Sequence, residues 1–501
     1  MSTLTELDIT PAPPLAVGYE EEDDIAKTEV ANIRSEFTYD DSKRLLRKAD
    51  WRLLPLLIAM YLCKNMDGNL VSYVKTMNTG ESGNILKSLN ITANQFAFAQ
   101  TCFSVTYIVF EVPSNLIIKW ASPRLHFFRI LVLWSVVCAC TAACTNLAGF
   151  LTARAFLGLA EAGLLPGIYW QLTCWYRPDE IALRMASLSV LGQFSGIIDS
   201  LFTYGLSYID GRGLEGWRWA YLICGLIGLL LSVWLFFFFP DFPDSPSSRR
   251  QFLTQEEGKF LVARLPPNAA RSTDANFDWQ AIKRELKSPL LWGFSFFALC
   301  MNSSLYGLAF WLPTIINSFG LTKGPKSQLL NIPSAVISII SSLSLSWILD
   351  NDTKIPRPIF MLSGATGLIG VFLGMIFCKS SGGLYALILL AQLFASLMTC
   401  ALLPLRSQSL RGATSAAFIM AFQNAWGQIP GLYTAQFFQT KYAPRYAVSY
   451  SISIVFVIAL MISVLFIWYF QFNLEKQTRE IARLRRKEGK KNIVVEEDVS
   501  L

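Results

Sequence analysis

Apolar stretches of about 20 residues, the length a helix needs to cross a bilayer, recur along this chain between short polar loops. From Trp51 the pattern predicts membrane helices over 51–74, 93–119, 125–146, 149–172, 181–207 and 218–239. A polar interval follows, and then a second group over 288–318, 327–349, 357–378, 382–404, 413–438 and 446–472. The reading is an all-α membrane protein of about twelve transmembrane helices in two six-helix halves, an arrangement found where a solute path runs between repeated halves.

The divisions follow from the same pattern. Residues 1–50 are polar, with an early proline cluster and an acidic run from Glu20 to Asp24, and are expected to be a disordered tail. The halves occupy 51–239 and 288–472, joined by a connector over 240–287. That connector opens on Pro240, Pro243 and Pro246, after which Thr254 and Glu257 form a capping-box pattern ahead of Phe260, Leu261 and Leu265. A tail over 473–501 is basic and then acidic. Because the first apolar run begins near Leu53 after a polar segment, no cleavable secretory leader is read, and the first span is expected to direct insertion.

Composition agrees with this picture. The chain has 501 residues, of which 53% are hydrophobic and 16% charged, whereas soluble domains carry about 25% charged residues. Lysine and arginine flank alternate loops: Lys43, Arg44, Arg47 and Lys48 precede the first span, Lys119 and Arg124 follow the second, and Arg177 and Arg184 follow the fourth. Lys354 and Arg357 follow the eighth, and Arg406 and Arg411 the tenth. Positive residues stay in the cytosol, so both termini and the connector are expected there. The net charge of +7 is explained by this bias, and nucleic-acid binding is not expected. The ten cysteines fall within or beside apolar runs with no metal or redox spacing, and His126 is the sole histidine. No metal, no cofactor and no enzymatic motif is read, since nucleophile elbow, phosphate loop and metal signature are all missing.

Charge inside a span is informative, because a charged side chain at the bilayer centre costs about 2.5–3.5 kcal/mol on insertion scales. Lys64 and Asp67 lie three apart in the first span and either form an ion pair that opens to an anionic substrate or are hydrated at the helix end. Glu111 and Asp199 are further intramembrane carboxylates, each either a proton site or a hydrogen-bonded packing group. Arg154 and Glu161 lie seven apart, two turns of one helix face. The uncharged polar set is Gln100, Tyr107, Gln193, Asn302, Tyr306, Gln392, Gln423, Asn424 and Gln428. Such groups recognise small polar solutes or bond helix to helix. Gly158, Gly163, Gly192 and Gly196 are read as sites of close helix approach. Asn90-Ile-Thr92 is a glycosylation sequon in the first loop.

Several blocks carry a family resemblance: Asp50-Trp-Arg-Leu-Leu-Pro55, Arg154-Ala-Phe-Leu-Gly-Leu-Ala-Glu-Ala-Gly163 and Leu305-Tyr-Gly-Leu-Ala-Phe-Trp-Leu-Pro-Thr-Ile-Ile316. Gln328-Leu-Leu-Asn-Ile-Pro333, Asn424-Ala-Trp-Gly-Gln-Ile429 and Ala443-Pro-Arg-Tyr446 add to them. Over residues 45–475 the chain resembles the fungal allantoate permease family of anion:cation symporters, within the major facilitator superfamily. The resemblance implies proton-coupled symport of a small organic anion, such as a ureide, a vitamin-type acid or another carboxylate, in the plasma membrane. It implies Glu161, with Glu111 as rival, as the proton site, Arg154 as a tie from the helix end to the loops, and Asp350 with Arg357 as a gating pair. It also places the polar set along the central path. One departure is the loop Asn115-Leu-Ile-Ile-Lys-Trp-Ala-Ser-Pro-Arg124, which lacks the family's acidic residue; another is Gly68 where a basic residue often follows the aspartate. Export of a pathway metabolite and a non-transporting nutrient sensor are the rival readings.

Overall fold

The structure, a computed structural model, describes residues 33, 37–79, 81–120, 122–209, 213–243, 245, 252–265, 279–318, 324–351, 355–407, 413–438, 442 and 446–487. The acidic run of the N-terminal tail, Lys354, Arg411 and most of the Ala443 to Tyr446 block lie outside these residues, as do the side chains of Lys119, Asp350 and the basic cluster after Gln477.

The first half holds α1 (Tyr39–Val74), a short α2 (Ile85–Ser88), α3 (Ala93–Trp120), α4 (Pro123–Thr141), α5 (Leu147–Glu161), α6 (Leu164–Trp175), α7 (Pro178–Gly192), α8 (Phe194–Leu206) and α9 (Gly216–Phe238). The connector carries α10 (Gln255–Ala263) and α11 (Trp279–Leu286). The second half holds α12 (Pro289–Ser318), α13 (Asn331–Asn351), α14 (Arg357–Phe377), α15 (Ser381–Ser407), α16 (Ala413–Gln428) and α17 (Ala447–Lys487). Among the described residues eight helical segments are long and apolar enough to cross a membrane by length and composition alone. The first, second, fifth and eleventh predicted spans are not among them. α1 contains Lys64, Asn65, Asp67 and Asn69, the fifth is split into α7 and α8, and α16 has only 16 residues.

Three boundaries depart from the sequence reading. Residues 39–50, expected in the tail, continue α1, because Thr38 and Asp41 form a capping box and Leu45, Ala49 and Leu53 carry one buried stripe down the helix. The predicted fourth span breaks between α5 and α6: Ala162 is extended and Gly163 has φ 92°, so Gly163 turns the chain and is not a packing glycine. The predicted eleventh span ends at Gln428 and continues as 3-10 turns over Ile429–Leu432 and Thr434–Gln436.

Close packing depends on glycine elsewhere. A methyl group on Gly158 of α5 would come within 2.2 Å of the Phe103 carbonyl oxygen on α3, and one on Gly192 would meet the Tyr61 ring at 2.4 Å. Within the halves, α4 packs on α9, α3 on α5, and α14 on both α15 and α17. Between halves, α1 packs on α12, α8 on α13, α7 on α15, and α6 on α16.

The connector is fastened to the first half. Asp241 accepts from the Arg124 backbone N–H at 2.9 Å and pairs with its guanidinium at 3.7 Å, so an acid from the connector meets the basic residue of the loop that lacks its own. The Asp241 carbonyl accepts from Gln171 at 2.6 Å and Trp175 at 3.0 Å. Arg184 grips Asp50 through two bonds of 2.7 and 2.9 Å, and Arg264 reaches Glu180. Lys48 and Glu257 pair at 3.0 Å, an exposed bridge worth about 0–1 kcal/mol. Burial acts to raise the Glu257 carboxyl, but the Thr254 backbone N–H and Lys48 outweigh it and hold it below the ordinary carboxylate range. The bridge's contribution is therefore intact at neutral pH and is lost only as pH falls through that lowered value.

Gly158→Ala should destabilise the protein by about 1–3 kcal/mol, because the obstructing atom is backbone. Gly205→Ala, where nothing lies within 4 Å of the added methyl, should be near neutral. Thermal unfolding of both variants in the same detergent checks the contrast.

Candidate functional site

Glu161 is the last residue of α5, immediately before the break made by Ala162 and Gly163, and it is buried. Its carboxylate faces Lys64 of α1 at 3.6 Å. Removing one partner of a buried pair costs about 3–5 kcal/mol because the other charge is left uncompensated, whereas breaking an exposed bridge such as Lys48–Glu257 costs about 0–1 kcal/mol. Tyr61 of α1 and Tyr306 of α12 lie within electrostatic reach of Lys64, so the pair stands beside the boundary between the halves.

Neither alternative read for Lys64 and Asp67 holds: they do not pair with each other, and Asp67 is buried and not hydrated at a helix end. Residues three apart on a helix are rotated by about 60° from one another, and here Lys64 turns to α5 while Asp67 turns to α4 and α9. Asp67 is buried and accepts from the Cys138 thiol at 3.2 Å. Cys138 and Cys224, whose sequence spacing suggests no metal site, join Asp67 in a group whose ligand atoms lie within 4.8 Å of one another, a donor set suited to a metal ion that accepts thiolates. Arg154 also departs from its expected role. It is buried and donates to the Tyr221 hydroxyl on α9, so it ties two helices in the core and not a helix end to loops.

Glu111 on α3 accepts from Asn424 on α16, which joins the two halves through a carboxylate and an amide. Its other oxygen, Oε2, has no partner among the described residues. Tyr107 is buried one turn earlier on α3, and Gln423 is buried beside Asn424. Gln193 reaches Ser342 on α13 at 3.3 Å, a second link between halves. Asn302 donates to the Gly427 carbonyl at 2.7 Å within the second half, a helix-to-helix bond. Gln100, Gln392 and Gln428 are half-buried and make no hydrogen bond to the Lys64–Glu161 pair among the described residues. Arg357 opens α14, and its backbone N–H donates to Glu475 of α17 at 3.2 Å. Asn90 is exposed on a turn with φ 52°, a conformation asparagine tolerates.

A polar seam of α1 was not read from the sequence. Asn65 donates to the Gly192 carbonyl at 3.3 Å, Asn69 to Ser195 at 3.0 Å and Asp199 at 3.2 Å, and Tyr73 to the Gly196 carbonyl at 3.3 Å. These residues recur every four positions, which is the signal that marks one helix face. The seam holds α1 against the junction of α7 and α8, directly beside the charged pair.

The sequence profile of the Major Facilitator Superfamily matches residues 69–435. The chain is 28% identical to the MFS-type transporter cnsO of Penicillium expansum over 348 residues, 68% of this chain and 65% of that protein, so it spans just under two thirds of that relative. It is 28% identical to the major facilitator-type transporter hxnP of Emericella nidulans over 424 residues, 81% of this chain and 80% of that one. A putative tartrate transporter of Agrobacterium vitis is 30% identical over 287 residues, 57% of this chain and 61% of that one. Among solved structures, a bacterial homolog to the human lysosomal transporter Spinster, inward-facing and unoccupied, aligns with a TM-score of 0.60 at 13% identity, covering 87% of this chain and 97% of that one. The xylose transporter XylE from E. coli, partially occluded and inward open, gives 0.59 at 14%, covering 83% and 98%. At these identities the structures speak for the fold, and the profile covers most of the chain: this multi-pass membrane protein belongs to the Major Facilitator Superfamily.

Proposed function

We propose that this chain is a secondary active transporter, of the allantoate permease type, that carries a small organic anion together with protons by alternating access. The observation that carries the reading is the buried Lys64–Glu161 pair at a helix break beside the boundary of the halves. An anion that takes Lys64 leaves Glu161 without its cation in a poorly solvated place, and a proton then neutralises it. Binding of anion and uptake of proton are thereby tied through one lysine. The relative named as a putative tartrate transporter supports a small-molecule substrate. The loop charges support cytosolic termini and connector, and the family resemblance supports the plasma membrane.

The test is uptake of labelled nicotinate, allantoate and tartrate by yeast cells that lack related permeases, at acidic and neutral pH. Uptake of one compound should rise with acidity and collapse with an uncoupler. Lys64→Ala should lower it at least about tenfold, the equivalent of about 1.4 kcal/mol. Glu161→Gln should remove the pH dependence. Uptake that ignores both pH and uncoupler would exclude proton coupling, and surface-expressed protein with no uptake at all would turn the reading to export.

The Glu111–Asn424 contact crosses the boundary that must open and close. Asn424→Ala strands a buried carboxylate and should cost about 1–3 kcal/mol, and Glu111→Leu on that background should recover part of the loss by removing the stranded group. Thermal unfolding of the two single variants and the double variant measures the coupling.

A further inference from the structure

Lys75 follows the last residue of α1, where the sequence places the start of a loop, yet it is 4% exposed. Its Nζ has no hydrogen-bond partner among the described residues. It stands 3.0 Å from the centroid of the Trp311 ring and 5.8 Å from that of Phe310, both on α12 of the opposite half. Trp311 is itself anchored, since its Nε1 donates to the Ala435 carbonyl at 2.9 Å. Around this contact the halves meet through neutral groups, with Gln328 donating to Thr76 Oγ1 at 2.9 Å and Asn317 to Thr79 at 3.5 Å. The Asn84 amide fixes the backbone beneath by donating to the carbonyls of Lys75 at 3.1 Å and Met77 at 2.7 Å.

An ammonium compensated by aromatic faces alone gains from exchanging them for a carboxylate, because the charge-assisted bond is the stronger of the two. Lysine and ring belong to different halves, so parting the halves at this end separates them and turns the ammonium toward the opening. We propose that Lys75 is an anion-selecting residue at the end of the bundle opposite the termini. Trp311 holds its charge while that end is closed, and on opening it receives the carboxylate of the solute, about 16 Å along α1 from Lys64. The inference deepens the transport reading and rests on it.

The experiment uses the full-length chain in detergent with Thr76→Cys, a buried position under Gln328 that only opening exposes. Labelling rates are measured with an anionic reagent, 2-sulfonatoethyl methanethiosulfonate, and a cationic one, 2-(trimethylammonio)ethyl methanethiosulfonate, after subtracting the parent's own cysteines. Adding Lys75→Gln should lower the anionic-to-cationic rate ratio about tenfold, the scale on which local charge concentrates small ions. Lys75→Arg should preserve the ratio, and Trp311→Leu, which leaves Lys75 in place, should raise both rates. A ratio unchanged by Lys75→Gln, or no labelling of Thr76→Cys in any variant, would overturn the proposal. Neither reagent is a substrate, so a lost ratio alongside a failed uptake panel would count against the transport reading and not against the charge at this entrance.

Discussion

Lipid offers no partner to a charge, so each ionisable side chain within the bundle has to find compensation inside the protein. The internal arrangement follows from this constraint. Lys64 faces Glu161, Arg154 faces Tyr221, Asp67 faces a thiol, Asp199 faces Asn69, and Glu111 faces Asn424. Each of these contacts joins two helices, so the groups that are costliest to bury also fix which helices are neighbours. The break after Glu161 belongs to the same logic, since an interrupted helix is tolerated at membrane depth only where protein surrounds it.

The charges are unevenly shared. Lys64, Asp67, Glu111, Arg154, Glu161 and Asp199 all come from the first half, while α12, α16 and the membrane part of α17 carry none. The second half contributes amides, hydroxyls and aromatic rings to the same region: Asn424, Ser342, Tyr306 and Trp311. The Lys64–Glu161 and Arg184–Asp50 pairs lie within the first half and Lys48–Glu257 joins it to the connector, whereas across the boundary Glu111 meets the neutral Asn424 and Gln193 meets Ser342.

Much of this was legible in the sequence. The all-α membrane class and the intramembrane carboxylates are set by composition and length, which a linear reading captures. What escaped it were choices made by tertiary contact. Lys64 prefers Glu161, 97 positions away in sequence, to its helical neighbour Asp67, because a rotation of about 60° sends the two side chains to different helices. Cys138 and Cys224 meet only because α4 packs on α9. Lys75 reads as the first charge of a loop, since nothing local announces that Trp311 will cover it. The capping box at Thr38 was a local signal, passed over because the residues after it are polar until they wrap onto the core.

The uneven distribution of charge bears on how such a protein can change over time. Asn424 and Trp311 apart, substituting a residue of the second half that faces the boundary alters shape and hydrogen bonding, while the Lys64–Glu161, Arg154–Tyr221 and Asp67–Cys138 contacts keep their partners. Under the transport proposal, a new solute can therefore be accommodated by small neutral exchanges at boundary positions of α12, α13 or α16 that hold no buried charge, without assembling a fresh set of buried charges in one step. On that proposal the first half retains most of the electrostatics and the rest of the second is free to vary the fit, so recognition can diversify while the ionic scaffold stays as it is.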